Sequence, residues 1–229
     1  MGPHPCQNYI QVLHRTGVGD KASGFGNIES EKLPFSIAIR LLGMCLAHPT
    51  SEPGSRVEIL SSQELGRTLD RLASQVLESA SESHDLLLLG IPTRGVALAK
   101  VLAERLSAIA GHSVPHGSLD PTFHRDDLAR VGTRLVEATS LPESVDGRLV
   151  VLVDDVIYTG RTVRATLEAL QSWGRPRKVE LAVMVDRGHR ELPIQPDFCG
   201  RVVPTSRQES IQLCLRDVDG EEGVFLLHP

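Results

Sequence analysis

Leu149-Val150-Val151-Leu152-Val153-Asp154-Asp155-Val156-Ile157-Tyr158-Thr159-Gly160-Arg161-Thr162 is the stretch that decides the fold. Its opening apolar run, Leu149 to Val153, reads as a strand buried on both faces. Two adjacent carboxylates close that strand, and a Thr-Gly-x-Thr turn leads into a segment whose pattern predicts a helix over 161–173, with Gly174 past its end. Such a turn places successive backbone N–H groups and two hydroxyls at the positive end of a helix, which makes a phosphate cradle. Gly160 lets the backbone approach an anion closely. Acceptor-only oxygens on Asp154 and Asp155 suit the vicinal hydroxyls of a sugar attached to that phosphate. The GxxxxGK[ST] pattern is absent, so this is not a Walker A loop.

The pattern repeats outward in both directions. Leu86 to Ile91 is a second buried apolar run, followed by a helix from about Val96 to Ala110 that ends at Gly111. Val179 to Val185 is a third strand. Strand–helix alternation with continuous apolar strands predicts an α/β fold built on a doubly wound, mainly parallel sheet. Upstream, Ser61 and Glu64 have capping-box spacing, and Leu65, Leu69, Leu72 and Val76 form the apolar stripe of an amphipathic helix. Downstream, Ile211–Leu215, Asp219-Gly220 and Val224–Leu227 read as a terminal β-hairpin. Ligands of such sheets bind beyond the carboxyl ends of the strands, here the loops after Ile91, Val153 and Val185. Thr93-Arg94-Gly95 follows the first of these, a tight turn offering backbone N–H groups and a guanidinium that match the paired oxygens of a pyrophosphate.

Composition sets bounds. The chain has 229 residues, 41% hydrophobic, 23% charged and 3% aromatic, enough apolar content for one sizeable core. A net charge of −5 argues against gripping nucleic acid through bulk positive charge, and the few aromatics argue against a base-stacking platform. No apolar run reaches the length of a membrane span. Cys6, Cys45, Cys199 and Cys214 have no metal-binding spacing and the histidines form no HExxH, so the cysteines read as reduced thiols of a cytoplasmic protein. Met1 to Asn8 lacks the features of a signal peptide. Residues 1–52 carry four basic and four acidic side chains, so the whole net charge sits on 53–229. Gly17, Gly19, Gly24 and Gly26 interrupt this first segment; only Ile37–Leu46 suggests a short helix, and Thr50 to Ser55 reads as a linker. The division expected is therefore an extension over 1–55 and one domain over 56–229.

The segment through Thr162 resembles the phosphoribosyl pyrophosphate (PRPP) signature of type I phosphoribosyltransferases. Its Tyr158-Thr159-Gly160-Arg161-Thr162 form is similar to that of the PyrR family, bifunctional pyrimidine-operon attenuators and uracil phosphoribosyltransferases. Gly90-Ile91-Pro92-Thr93-Arg94-Gly95, Leu119 to Leu128 and Asp186 to Pro193 carry the same resemblance. It implies a type I phosphoribosyltransferase-like fold with a flexible hood loop and a small base-binding hood. It implies uracil and PRPP as substrates, UMP and pyrophosphate as products, and Mg²⁺ held through PRPP and water near Asp154 and Asp155 rather than by direct protein ligands.

Residue by residue, the resemblance makes Asp154, Asp155, Arg94 and Arg125 catalytic. Thr93, Arg94 and Gly95 become the pyrophosphate loop, and Val156, Ile157, Tyr158, Thr159, Gly160, Arg161 and Thr162 the 5′-phosphate site. His124-Arg125-Asp126-Asp127 belongs to the hood, and Asp186 and Arg187 to the nucleobase site. The family's RNA face draws on its first helix, which implies Arg67 and Arg71 as contacts to a pyrimidine-operon leader mRNA. Asp70 and Ser74 depart from the family's Thr and His there, placing a carboxylate where phosphates are expected. Family members are homodimers or larger homo-oligomers. Two other readings stay open: a phosphoribosyltransferase for another base, and a regulator that keeps the PRPP loop as a sensor.

Overall fold

A computed structural model describes residues 54–80, 83–126 and 138–229. The expected extension up to residue 53, with its Ile37–Leu46 helix, and the hood from Asp127 to residue 137 lie outside the described residues.

Chain order is β1 (Arg56–Leu60), α1 (Ser62–Ser79), β2 (Leu86–Gly90), α2 (Arg94–Ala110), β3 (His116–Ser118), β4 (Leu149–Ile157), α3 (Arg161–Gln171), β5 (Lys178–Asp186), β6 (Phe198–Val202), β7 (Ser210–Cys214), α4 (Arg216–Asp219) and β8 (Gly223–Leu227). Five strands form a parallel sheet in the order β3-β2-β4-β5-β6, and β1-β8-β7 form a separate antiparallel sheet.

The apolar strands are continuous because both faces of the parallel sheet are covered. Leu86, Leu88, Val151, Val153, Ala182 and Met184 point to a core shared with α1, α2 and the antiparallel sheet. Their neighbours Leu87, Leu89, Val150, Leu152, Leu181 and Val183 point the other way, to a core with Val163, Ala169 and Leu170 of α3. Alternate residues of one strand thus serve opposite layers. In α1, Leu65, Leu69, Leu72 and Val76 are all buried, and Ser61 and Glu64 close a reciprocal capping box. Gly111 caps α2 in the left-handed region at φ 76°.

Several elements differ from the sequence pattern. β4 runs on to Ile157, through both carboxylates, because β5 keeps pairing with it from Asp154↔Val183 to Ile157↔Asp186. α3 stops at Gln171, where short-range bonds from the Ser172 and Trp173 N–H groups tighten its end. The expected Asp219-Gly220 hairpin turn contains the one-turn helix α4, closed by Gly220 at φ 73°. Cys199 and Cys214 are free thiols, as expected, and burial pushes both thiols above their ordinary pKa. No helix among the described residues is long and apolar enough to cross a membrane.

Candidate active site

The sheet changes winding direction between β2 and β4, since β3 lies outside β2 while β5 and β6 continue beyond β4. A crevice opens at such a switch point beyond the carboxyl ends of the strands. β2 ends at Gly90, opposite Val153, and the Ile91 N–H donates to the Val153 carbonyl at 2.9 Å. Beyond that bond β4 has no β2 neighbour, and Asp154 and Asp155 stand in the fork. Their carboxylates accept from the next backbone N–H groups, Asp155 N to Asp154 Oδ1 at 3.0 Å and Val156 N to Asp155 Oδ1 at 2.9 Å. Those bonds orient the pair along the crevice wall.

On one side of the fork, Pro92, Thr93, Arg94, Asp154, Asp155, Val156 and Thr162 line a polar pocket of about 200 Å³. The Pro92-Thr93 peptide is cis, and α2 begins at Arg94. Gly95 is required by close packing: a Cβ there lies 2.4 Å from the Val153 carbonyl oxygen. Hydrogen at this position brings the start of α2 against the end of β4, and so Arg94 near the carboxylates.

On the other side lies a cleft of about 520 Å³, lined by residues 156–163 with Arg125, Asp126, Asp154, Glu191 and Arg207. Gly160 sits at φ 89° as the N-cap of α3, without a side-chain cap. The first N–H groups of a helix have no intrahelical partner, and here they border the cleft beside the Thr159 and Thr162 hydroxyls. Asp154, buried at 8% exposure, borders both the pocket and the cleft. A polyanion carrying a sugar between two phosphate-bearing ends fits this paired arrangement.

The root of the hood is docked on α3. Arg125 Nη1 donates to Thr162 Oγ1 at 3.0 Å, and the Arg164 guanidinium donates to the His124 carbonyl at 3.0 Å. Arg161 pairs with Asp126 and with Glu191, both at 2.8 Å. The hydrogen bond to Glu191, then the Asp126 charge, raises the Arg161 pKa above its already high ordinary value. Arg161 therefore faces two carboxylates rather than only the cleft, a setting that spacing alone does not reveal.

Asp186, at the end of β5, and Arg187, the first residue beyond it, are held by a well-bonded loop. Arg187 is buried; its Nε donates to Thr205 Oγ1 at 3.1 Å and its Nη2 to the Ser206 carbonyl at 2.8 Å. Its guanidinium carbon lies 4.3 Å from the centre of the Tyr158 ring. His189, at φ 61°, places Nε2 2.6 Å from the Thr205 carbonyl, so a ring protonated at Nε2 donates there. Arg190, which from sequence suits an open surface equally well, is largely enclosed: it pairs with Asp186 at 2.6 Å and donates to the carbonyls of Tyr158 and Ile194. It ties the loop after β5 to the loop after β4. Arg190 and Glu191 lie in the Asp186–Pro193 segment but have no role assigned from sequence, and Arg207 is a cleft residue that sequence reading missed.

Arg67 and Arg71 lie apart from this crevice on the exposed side of α1. Arg71 donates to the Gly200 carbonyl at 2.5 Å and to the Cys199 carbonyl at 3.4 Å on β6. Asp70 pairs with Arg105 of α2, so its charge is locally balanced.

A phosphoribosyl transferase domain model matches residues 55–212. The bifunctional protein PyrR of Thermosynechococcus vestitus is 51% identical over 181 residues, which cover 79% of this chain and 99% of that protein. The bifunctional protein PyrR of Mycolicibacterium paratuberculosis is 48% identical over 188 residues, 80% of this chain and 99% of that protein. Among solved structures, a hypoxanthine phosphoribosyltransferase from Staphylococcus aureus superposes with a TM-score of 0.57 at 16% identity, covering 76% of this chain and 91% of that one. The Trypanosoma cruzi hypoxanthine phosphoribosyltransferase gives 0.59 at 16% identity, with 78% and 98% covered. These structural likenesses establish a shared fold. With about half its residues in common along nearly the whole length of the PyrR proteins, the chain belongs to the bifunctional PyrR family, within the phosphoribosyl transferase domain family.

Proposed function

We propose that residues 56–229 catalyse transfer of the phosphoribosyl group of PRPP to uracil, giving UMP and pyrophosphate. The observation that carries this reading is the fork itself, where Asp154 borders a phosphate cradle on one side and shares a pocket with Asp155 and Arg94 on the other.

Thr159, Gly160 and Thr162 hold the 5′-phosphate with the N-terminal amides of α3, against walls formed by Val156, Ile157, Tyr158 and Arg161. Asp154 and Asp155 accept from the ribose hydroxyls. As the bond from C1′ to pyrophosphate breaks and the bond to uracil nitrogen forms with loss of the proton on that nitrogen, positive charge on the ribose is stabilised by the two carboxylates. Arg94, with Thr93 and Gly95, takes the leaving pyrophosphate, and Arg125 reaches it from the hood. The loop carrying Asp186 and Arg187 receives uracil beside Tyr158. Binding at the phosphate, remote from the reacting carbon, orients that carbon for attack.

The donor set fits Mg²⁺. No cluster of three or more histidine, cysteine or carboxylate groups forms a cage among the described residues. Asp154 and Asp155 instead border a polar pocket suited to a hard cation that keeps its waters and takes oxygens from substrate. Asp154 and Asp155 would hold Mg²⁺ through water, and the bound ion would supply neutralisation of the pyrophosphate charge. Uracil-dependent release of pyrophosphate from PRPP tests the reading: release that requires Mg²⁺ and stops with EDTA supports it, and no uracil-dependent release in excess Mg²⁺ overturns it.

A second activity, binding of a pyrimidine-operon leader RNA by a homo-oligomer, is favoured by one observation. The Arg105 partner of Asp70 relieves the charge conflict that Asp70 introduces beside Arg67. Leader RNA retarded in a gel by the intact protein and not by Arg67→Ala supports this reading; equal retardation by both removes Arg67 from it.

A further inference from the structure

Arg94 of the pyrophosphate loop is tied to the far end of the chain. Its Nη1 lies 2.8 Å from both carboxylate oxygens of Asp219, a partner 125 positions away. The carboxylate is itself fixed. Asp219 Oδ2 accepts from the Leu215 N–H at 2.9 Å, and the Asp219 N–H donates back to the Leu215 carbonyl at 2.8 Å. Gly220, in the left-handed region, donates to the Arg216 carbonyl and closes the turn that presents Asp219.

The pair is mostly enclosed, with 29% of the Arg94 side chain and 15% of the Asp219 side chain exposed. Arg94 borders two spaces, the polar pocket with Asp154 and Asp155, and a neighbouring cleft with Leu215, Val218 and Asp219. The guanidinium is thus the wall between the site and the tail, held from the tail side. The contact engages a single guanidinium nitrogen and leaves the planar fork able to meet an anion from the pocket side.

From this geometry we propose that Asp219 is a positioning residue for Arg94, one that holds the guanidinium ready for the pyrophosphate of PRPP. The proposal rests on the reading of the pocket as a PRPP site. Without the anchor, the long arginine side chain samples other rotamers and must be ordered at each binding event. The opposite role, a carboxylate that competes with pyrophosphate for Arg94, predicts the opposite sign, so one measurement separates the two.

The experiment is a double-mutant cycle on the full chain, read by calorimetric binding of PRPP with Mg²⁺ and by the Michaelis constants for PRPP and uracil. Asp219→Asn is expected to weaken PRPP binding and raise the PRPP constant about tenfold, with the uracil constant unchanged. In an Arg94→Ala background the same substitution is expected to change PRPP affinity by less than about twofold. Asp219→Glu, which keeps the charge but displaces it by one methylene, carries the same prediction at smaller size if Asp219→Asn does not fold. Parent-like or tighter PRPP binding by Asp219→Asn, or an equal loss in both backgrounds, overturns the role of Asp219 alone. A parent chain that binds no PRPP overturns the site reading and the proposal with it.

Discussion

Asp154 and Asp155 are neighbours in sequence yet differ in setting. Asp154 is buried and borders both halves of the crevice, whereas Asp155 is partly exposed and borders only the pocket shared with Arg94. If Asp155 stabilises positive charge at the reacting carbon, Asp155→Asn removes that charge at nearly constant shape. Turnover is then expected to fall about a hundredfold or more in a steady-state UMP assay; near-parent turnover takes Asp155 out of the mechanism. Gly160 raises a different issue. A Cβ there finds ordinary van der Waals distance, 3.5 Å to Ile194, so space is not the obstacle. Its φ of 89° is the obstacle, and Gly160→Ala is expected to cost about 1–2 kcal/mol in denaturant unfolding through backbone strain. A larger PRPP Michaelis constant accompanies that loss as the cradle opens. An alanine variant equal to the parent in both measurements contradicts the strained-turn account.

At the scale of elements, α1 depends on its first turn. Glu64 accepts from the Ser61 N–H at 2.9 Å and from the Ser61 hydroxyl at 2.8 Å, and these bonds, the backbone one first, hold its carboxyl below the ordinary 4.5. Because the folded-state pKa is depressed, the contribution to stability is present above the unfolded-state value and lost as pH falls through the folded one. Ser61→Ala is expected to lower unfolding free energy by about 1 kcal/mol at neutral pH. The Glu64 part of that difference disappears in acid; a gap between parent and variant that widens toward low pH contradicts the assignment.

The same elements explain what could be read without coordinates. β2, β4 and β5 were legible because each is covered on both faces and therefore spelled in unbroken apolar residues. β3 and β6 were not: His116-Gly117-Ser118 and the Phe198–Val202 strand lie at the sheet edges and are largely half-buried or exposed, so no continuous apolar run marks them. α4 was masked by its Asp219-Gly220 end, which reads equally well as a tight turn. Within the site, the carboxylate pair and the glycine turn were legible because both are local in sequence. The support of Arg94 was not, since Asp219 meets it through a tertiary contact 125 positions away whose register no pattern encodes.

For the whole molecule, a net charge of −5 looked like evidence against nucleic-acid partners. The described residues distribute that charge unevenly. The crevice mixes Asp126, Asp154, Asp155 and Glu191 with Arg94, Arg125, Arg161 and Arg207, while Arg67 and Arg201 both lie near Glu64 at the α1 and β6 side. Any RNA affinity carried by the α1 side is expected to fall as salt rises. Supply the protein with PRPP and Mg²⁺ and offer uracil, hypoxanthine, guanine and orotate in turn, reading the nucleotide formed. UMP from uracil, with no nucleotide from the other three, is the predicted result; a purine nucleotide or orotidine monophosphate formed in place of UMP contradicts it.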